Sequence, residues 1–326
     1  MTWFFDTFTQ IQAWMFEQII QPVLFHFGLT SYAEIAFDAV ETMLLGVLQI
    51  ALLFVILRPL ETWFPAEKNQ DRRAARVDVL YTFLHRLGFL PLLFFFLLGP
   101  LLDTAQGWLR FHDFIPKNLE DFFPALLKYP LLSFALYFVL LDFADYWRHR
   151  LQHRLRGWWA LHSLHHSQRQ MTFWTDDRNH LLDDLLADAW FASVALLIGV
   201  PPNQFVWIII VSKMLESLSH ANLRLSFGAI GERLLVSPHF HRVHHAIGLG
   251  HEGRRQGVNF AKTFAVWDVL FATARFGDAY PATGIRDQLS GRDYGDGFWR
   301  QQWLGLQRIA QSLVSQDNSA VGEQQR

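Results

Sequence analysis

The stretch RHRLQHRLRGWWALHSLHH, residues 148–166, and the later HFHRVHH, residues 239–245, decide how the rest of this chain is read. His149 and His153 lie four apart; His162, His165 and His166 follow as H-x-x-H-H, and His241, His244 and His245 repeat that spacing. On a helix, positions i, i+3 and i+4 share a face, so each cluster can aim two or three imidazoles at one point. Neutral imidazole is a ligand for iron, copper, zinc and nickel. Eight histidines in three clusters suit two metal ions rather than one. A single H-x-x-x-H arises by accident on many surfaces; three clusters in order, with one pattern used twice, do not. Of the 15 histidines, all but His26, His85 and His112 fall between His149 and His251.

Composition sets the surroundings. Over 326 residues the chain is 51% hydrophobic, with 31 Phe and 13 Trp. That exceeds the norm of soluble domains and points to a membrane protein. A net charge of −2 argues against a nucleic-acid partner. The absence of cysteine excludes disulfides, thiolate zinc sites, Cys-ligated iron–sulfur clusters and a Cys nucleophile. Redox chemistry would therefore rest on histidine-held metal with electrons from elsewhere. No glycine-rich fingerprint for a flavin or nicotinamide is visible.

Along the chain, residues 1–35 read as an aromatic-rich, amphipathic, membrane-associated segment rather than a signal peptide, with a plain packing helix as the alternative. A first span is expected over 37–57 and is followed by a loop carrying Lys68, Arg72, Arg73 and Arg76. Positive charge in a short loop assigns it to the cytoplasmic side. A second span is expected over 79–102, with His85 and Arg86 snorkelling or lining a cavity. A third is expected over 124–144, kinked or tilted because of Pro124 and Pro130 and returning to the cytoplasm at Asp142. The apolar stretch 185–219, interrupted by VPPN at 200–203, reads as a hairpin that dips in and returns to the same side. His180 before it and His220 after it can then join the same site. Residues 246–259 read as a glycine-rich loop, 298–314 as an amphipathic helix on the membrane or on the domain, and 315–326 as a disordered polar tail. The expected fold class is all-α: an integral membrane helical protein with about four transmembrane or re-entrant helices, and a cytosolic helical cap holding a histidine-rich dimetal site. The expected division is 1–35, a membrane domain over 36–280, and 281–326 for the C-terminal helix and tail.

At these residues the chain resembles the fatty acid hydroxylase / sterol desaturase superfamily of integral-membrane di-iron enzymes. Asp142, Tyr146, His149, Arg150 and His153 meet its D-x-x-x-Y-x-x-H-R-x-x-H pattern, and His162, His165, His166 and Ser167 its H-x-x-H-H-S. Arg178 and His180 meet part of an R-x-H-P-x-E segment, in which Leu181 and Asp183 stand for the Pro and Glu. His220 and Asn222 meet H-x-N, and Pro238, His241, His244 and His245 meet P-x-x-H-x-x-H-H. Asn259, Trp267, Asp268, Leu270 and Phe271 complete the match, which covers roughly 40–280. The resemblance implies a few membrane helices under a helical lobe. It also implies a di-iron centre using O2 on a lipid-like substrate, by hydroxylation, desaturation or ether cleavage.

The expected catalytic set is His149, His153, His162, His165, His166, His241, His244 and His245; the same eight with His180 and His220 are the expected metal ligands. Asp142, Arg178, Asn222 and Asp268 are expected behind them, Asp142 accepting the second N–H of a ligand histidine. His239 and His251 are read as second-shell, surface or loop residues, and His26, His85 and His112 as structural. Tyr146, Trp147, Trp158 and Trp159 are read as interface anchors or channel walls. The expected cofactors are two Fe ions with O2 as co-substrate. Electrons would come from a separate donor (a reductase, ferredoxin or cytochrome), for which the chain has no fused haem segment. The expected partners are a lipid-like substrate and the membrane, without nucleic acid, and the expected location is the bacterial inner membrane rather than the endoplasmic reticulum, with the metal site on the cytoplasmic side. Two alternatives stand beside this reading. One is a dinuclear zinc membrane hydrolase, which usually needs a carboxylate that these clusters lack. The other is a non-enzymatic metal-binding or transport protein, for which the spans offer few polar residues beyond His85, Arg86, Lys128, Lys213 and Glu216.

Overall fold

A hydrocarbon layer has no water to satisfy backbone groups, so a chain this apolar crosses it as helices. The computed structural model describes residues 2–68, 75–251, 256–277 and 279–323, with the side chains of those between 3 and 313. Arg72, Arg73 and residues 252–255 of the glycine-rich loop lie outside the described residues. Among the described residues there are helices and two isolated bridges but no strand. α1 (Thr2–Met15) and α2 (Gln21–His26) precede α3 (Ala33–Trp63). α4 (Arg76–Arg86), α5 (Phe89–Phe111) and α6 (Leu119–Phe122) follow, then α7 (Pro130–Arg154) and α8 (Arg156–His166). α9 (Leu181–Leu197) and α10 (Pro202–His220) form a hairpin. α11 (Gly228–Leu234), α12 (Pro238–His244), α13 (Val266–Leu270) and α14 (Phe298–Glu323) complete the chain.

Three stretches are long and apolar enough to cross a membrane: Thr30–Trp63, Phe89–Phe111 and Pro130–Arg154. Their outward faces are rows of exposed apolar side chains, such as Val47, Phe54 and Val55 on α3, Phe89, Phe96 and Leu101 on α5, and Leu131 and Leu132 on α7. Water would penalise these rows and lipid does not. Contacts fix which ends lie together. At the C-terminal end of α3, Glu61 accepts from the Phe173 and Asn222 amides at 2.9 Å. Just before α5, Arg86 reaches Asp176 and Asp177 at 2.9 and 3.1 Å. The C-terminal end of α7 carries His149 and His153. All three ends meet one helical cap.

Two expected spans are placed differently. The stretch 79–102 is broken at Gly88, whose φ of +84° is a left-handed conformation that glycine adopts without penalty. The cause lies in the residues before it. Asp78, Tyr81, Thr82 and Arg86 of α4 are buried among polar partners, so α4 belongs to the cap and the span begins at Phe89. Removing one partner of a buried charge network such as that of Arg86 costs about 3–5 kcal/mol, enough to fix the break. The third span is not kinked by prolines. Pro124 opens a 3-10 turn, and Pro130 sits at the first residue of α7, where a missing N–H leaves no helical bond unmade. α7 then runs to Arg154, so the first histidine pair rides on the membrane helix itself.

The expected hairpin is present: α9 and α10 turn back across Gly199, whose φ is +63°. At the N-terminus, α1 packs on α3 through Gln12, which donates to the Phe37 carbonyl at 3.1 Å, while Trp3, Phe5 and Trp14 stay exposed. α14 continues through the polar residues after 314 and packs against α8, burying Gln301, Gln302 and Arg308; it lies on the domain.

α3 and α4 approach so closely at Gly46 that a β-carbon there would sit 1.7 Å from the Arg86 carbonyl oxygen. Gly46→Val is therefore expected to abolish the monodisperse folded protein in fluorescence-detected size exclusion. Gly107→Val, where nothing lies within 4 Å of a built β-carbon, is expected to leave it intact.

Candidate metal centre

α7 ends at Arg154 and α8 starts at Arg156, with Leu155 extended between them (ψ 115°). This sharp corner folds the face carrying His149 and His153 onto the face carrying His162 and His166. α12 is started by Ser237, whose side chain accepts from the Phe240 amide, with Pro238 at the first helical position. It brings His241, His244 and His245 to the same place, and the last residue of α10 adds His220.

Two groups result. The ligand-capable nitrogens of His149, His153, His162, His166 and His244 lie within 4.8 Å of one another, as do those of His165, His220, His241 and His245. All nine residues are buried. The groups abut, with the His166 and His245 rings stacked at 4.3 Å. Each H-x-x-H-H divides between them. His162 and His166, four apart, face the first group while His165 faces the second. His241 and His245 face the second while His244 faces the first. Adjacent helical residues point about 100° apart, so one turn serves two centres.

Hydrogen bonds set which nitrogen of each ring is free. The Nδ1–H groups of His149, His244 and His220 donate to the carbonyls of Phe260, Val258 and Glu216 at 2.7, 2.7 and 2.8 Å. That of His162 donates to Asp183 at 2.9 Å. A carbonyl can only accept, so Nε2 is left with its lone pair. In the first group, Nε2 of His149, His162, His166 and His244 and both nitrogens of His153 are buried without a hydrogen-bond partner. In the second, the Nε2 atoms face one another: His165 to His220 at 3.1 Å, His220 to His241 at 3.0 Å and His241 to His245 at 3.2 Å. Burial, with the neighbouring rings second, holds His165, His166, His241 and His245 well below the ordinary imidazole range. Burial likewise takes His244 down to about 3. His162 is lowered by burial and partly supported by Asp183. These rings are neutral at physiological pH, and an orphaned buried acceptor is costly unless something fills it. Convergent lone pairs of neutral imidazoles, with no carboxylate among them, fit two borderline transition-metal ions.

The structure brings together nine of the ten residues expected as ligands. His180 is the exception, and that expectation is corrected. Its Nδ1 caps α9 by accepting from the Leu182 amide at 3.1 Å, and its Nε2 lies 2.9 Å from the Gln302 carbonyl. Both nitrogens are taken, by the helix it starts and by α14. Asp142 is corrected as well. It accepts from the Thr263 and Phe264 amides and the Trp267 indole at 3.1, 3.1 and 2.9 Å, and makes no hydrogen bond to any of the nine histidines among the described residues. Asp268 acts one step away. It accepts from the Phe260 and Ala261 amides at 2.9 and 2.8 Å, so it holds the turn whose carbonyl receives His149. Arg178 braces the end of α8 through the Leu164 carbonyl, Ser167 and Asp78. Asn222 pairs with the backbone of Glu67. His239 lies between Glu232 and the Ala279 carbonyl, and His251 stacks on Trp159 at 3.6 Å. Tyr146 is fully buried, its hydroxyl 3.0 Å from Thr273, and so is no interface anchor.

Sequence reasoning passed over Asp183. Besides His162 it accepts from Gln152 at 2.6 Å and from Trp158 at 2.7 Å. The signal was present: Asp183 stands where the resembled pattern has Glu, and a carboxylate was kept.

With this geometry in place the class can be stated. Residues 134–273, which carry all nine histidines of the two groups, match the family model for fatty acid hydroxylase, and the chain carries a domain of that family. The chain is 29% identical over 171 residues to the ornithine lipid hydroxylase OlsE of Rhizobium tropici, covering 52% of this chain and 47% of that protein. It is 30% identical over 138 residues to the alkylglycerol monooxygenase of Xenopus tropicalis, 42% of this chain and 29% of that protein, and 28% identical to that of Homo sapiens over a similar stretch. The matched segment thus spans less than half the length of these relatives. No solved structure matches the chain.

Second-sphere carboxylates typically change metal affinity 10–100-fold. Asp183→Asn, which keeps the shape and loses the charge that supports His162, is expected to lower metal affinity about 10-fold or more. Titration of the metal-free protein with Fe(II) under anaerobic conditions measures it.

Proposed function

We propose that this protein is a membrane-bound di-iron oxygenase that hydroxylates a C–H bond of a lipid, with electrons from a separate donor protein. The nine buried histidines are the ligands in this reading, five for one iron and four for the other. The observation that carries it is the pair of abutting all-imidazole groups within a fatty acid hydroxylase domain. Relatives that are an ornithine lipid hydroxylase and an alkylglycerol monooxygenase support a lipid as substrate.

Two irons bound there would supply the reduction of O2: one atom goes into the C–H bond, the other leaves as water, with two electrons from the donor and two protons completing the balance. The chain's own residues do the rest. The Phe260, Val258 and Glu216 carbonyls and Asp183 fix ring orientation and tautomer before any ion arrives. Burial of every ring excludes bulk water, which limits side reactions of an activated oxygen species. An apolar cavity of 530 Å³ between α3, α5, α9 and α10, lined by residues such as Phe94, Leu98, Phe205 and Ile210, suits an acyl chain entering from the bilayer. We place the centre on the cytoplasmic side, because Lys68 and Arg76 flank the loop at the cap end of α3 and α5.

The zinc hydrolase alternative loses ground here, since no carboxylate enters either ligand group. The test is isotopic. Cells expressing the wild type under 18O2 are expected to accumulate a lipid heavier by one 18O atom, and cells expressing His165→Ala are expected to lack it. Label arriving from H2 18O, or a product unaffected by His165→Ala, would contradict the proposal.

A further inference from the structure

α14 lies along α8 and, with the segment carrying Asp287, Arg292 and Tyr294, walls a recess of 290 Å³ on the cap. Four arginines line it, Arg154, Arg156, Arg292 and Arg308, against one carboxylate, Asp287. That carboxylate is occupied, by Arg292 at 3.3 Å and by the Tyr294 hydroxyl at 2.9 Å. The neighbouring Asp293 pairs with Arg300. Arg154 and Arg156 are exposed, and their side chains make no hydrogen bond or ion pair among the described residues.

Arg308 differs from every other arginine buried among the described residues. Arg86, Arg148, Arg178 and Arg242 each meet a carboxylate. Arg308 is only 5% exposed and has no carboxylate within ion-pair distance. Its Nη2 donates to the Asp293 carbonyl at 2.7 Å and its guanidinium lies 3.8 Å over the Tyr294 ring, but Nη1 is buried without a hydrogen-bond partner. A guanidinium stays charged in a protein and is rarely buried unpaired. Such a group, ringed by further arginines, calls for an anion, and its planar fork matches a carboxylate.

The recess also reaches the metal centre. His153 of the first group lines it, and so does Trp159. The Trp159 ring lies 4.9 Å from that of His153 and 5.3 Å from that of His166, and it stacks on His251 at 3.6 Å with 4° between the planes. Electron tunnelling weakens steeply with distance, and here one layer of rings separates the recess from the first group. α7 is 25 residues long, roughly 37 Å, which exceeds a hydrocarbon layer of about 30 Å. Its last residue, Arg154, therefore stands beyond the lipid tails, where a soluble protein can reach it.

We infer that this recess is the docking site of the electron-donor protein, which sets an acidic face against Arg154, Arg156 and Arg292 and a carboxylate toward Arg308. Electrons enter past Trp159 and His153. Each docking passes one electron and leaves the donor oxidised; two dockings supply the pair that the hydroxylation written above consumes. Charge arranged in this way steers encounter and fixes orientation. The inference rests on the hydroxylase reading for the need of electrons and on the recess alone for the place where they enter.

The test uses the iron-loaded full chain in non-ionic detergent and two soluble one-electron carriers of opposite charge, an acidic plant-type ferredoxin and the basic cytochrome c. Ferredoxin is expected to bind at an ionic strength of about 0.01 M and cytochrome c is not. That binding is expected to weaken about 10-fold at about 0.15 M, where the screening length falls from about 30 Å to about 8 Å. Arg154→Glu combined with Arg156→Glu is expected to weaken ferredoxin about 10-fold at the lower salt with iron content unchanged. Arg308→Gln is expected to weaken it as well, and the exposed pair decides the matter if that variant does not fold. Arg110→Glu, at the end of α5 away from the cap, is expected to change nothing. No ferredoxin binding, equal binding of the two carriers, wild-type affinity in either folded recess variant, or an equal loss in Arg110→Glu would overturn the inference. Displacement of ferredoxin by stoichiometric dioctanoyl phosphatidylglycerol would give the recess to a lipid headgroup and overturn it too. In the 18O2 experiment, cells expressing the exposed-pair variant are expected to accumulate less labelled lipid. Undiminished label with ferredoxin binding lost would overturn the inference and leave the hydroxylase standing. Ferredoxin bound at the recess of a protein that incorporates no 18O would overturn the hydroxylase and leave the docking site standing.

Discussion

Nine imidazoles must be kept neutral, buried and aimed at two neighbouring points, and the rest of the molecule is arranged around that constraint. Each unsatisfied buried acceptor costs about 1–3 kcal/mol, so a site with several orphaned nitrogens cannot persist unless its frame holds it. That frame is visible. α7 delivers two rings from the membrane helix, α8 and α12 deliver three each, and α10 delivers one at its last residue. Backbone carbonyls and Asp183 lock the rings of His149, His244, His220 and His162 from behind, and Asp268 locks one of the carbonyls. Dividing each H-x-x-H-H between two groups sets them side by side: a single short helix turn supplies both at once.

The membrane enters as the second constraint. Spans that stop at Trp63 and start at Phe89 hold the cap against the bilayer, and the break at Gly88 turns α4 away from lipid so that Arg86 can reach Asp176 and Asp177. Buried ion pairs of this kind stabilise little in themselves and are strongly disruptive when halved. Their value here is positional. They hold the start of the second span to the cap, while α14 packs Gly305 against His180. A β-carbon at Gly305 would sit 2.2 Å from the His180 ring, which shows how tightly that flank is shut.

Much of this was legible in the sequence. The periodic histidines, the apolar runs and the resembled motifs gave the all-α membrane architecture, the hairpin and the residues gathered at the centre. What was hidden shares a physical cause. His180 has the right residue type at the right place in the chain, but its ring is claimed by an N-cap and by a helix 122 residues away, which no local pattern encodes. The support given by Phe260, Val258 and Glu216 comes through carbonyls, which every residue carries, so side-chain identity says nothing of it. Asp142 belongs to the resembled motif and is expected to receive a histidine N–H; tertiary packing uses it to pin 263–267 instead. The second span starts later than expected because hydropathy alone cannot show that Arg86 and Asp78 have buried partners.

The iron content of the wild-type chain, purified anaerobically and measured against protein concentration, tests the central claim most directly. The proposed di-iron centre calls for two irons per chain. One metal per chain, or a full complement of zinc that survives reconstitution with Fe(II), would contradict it.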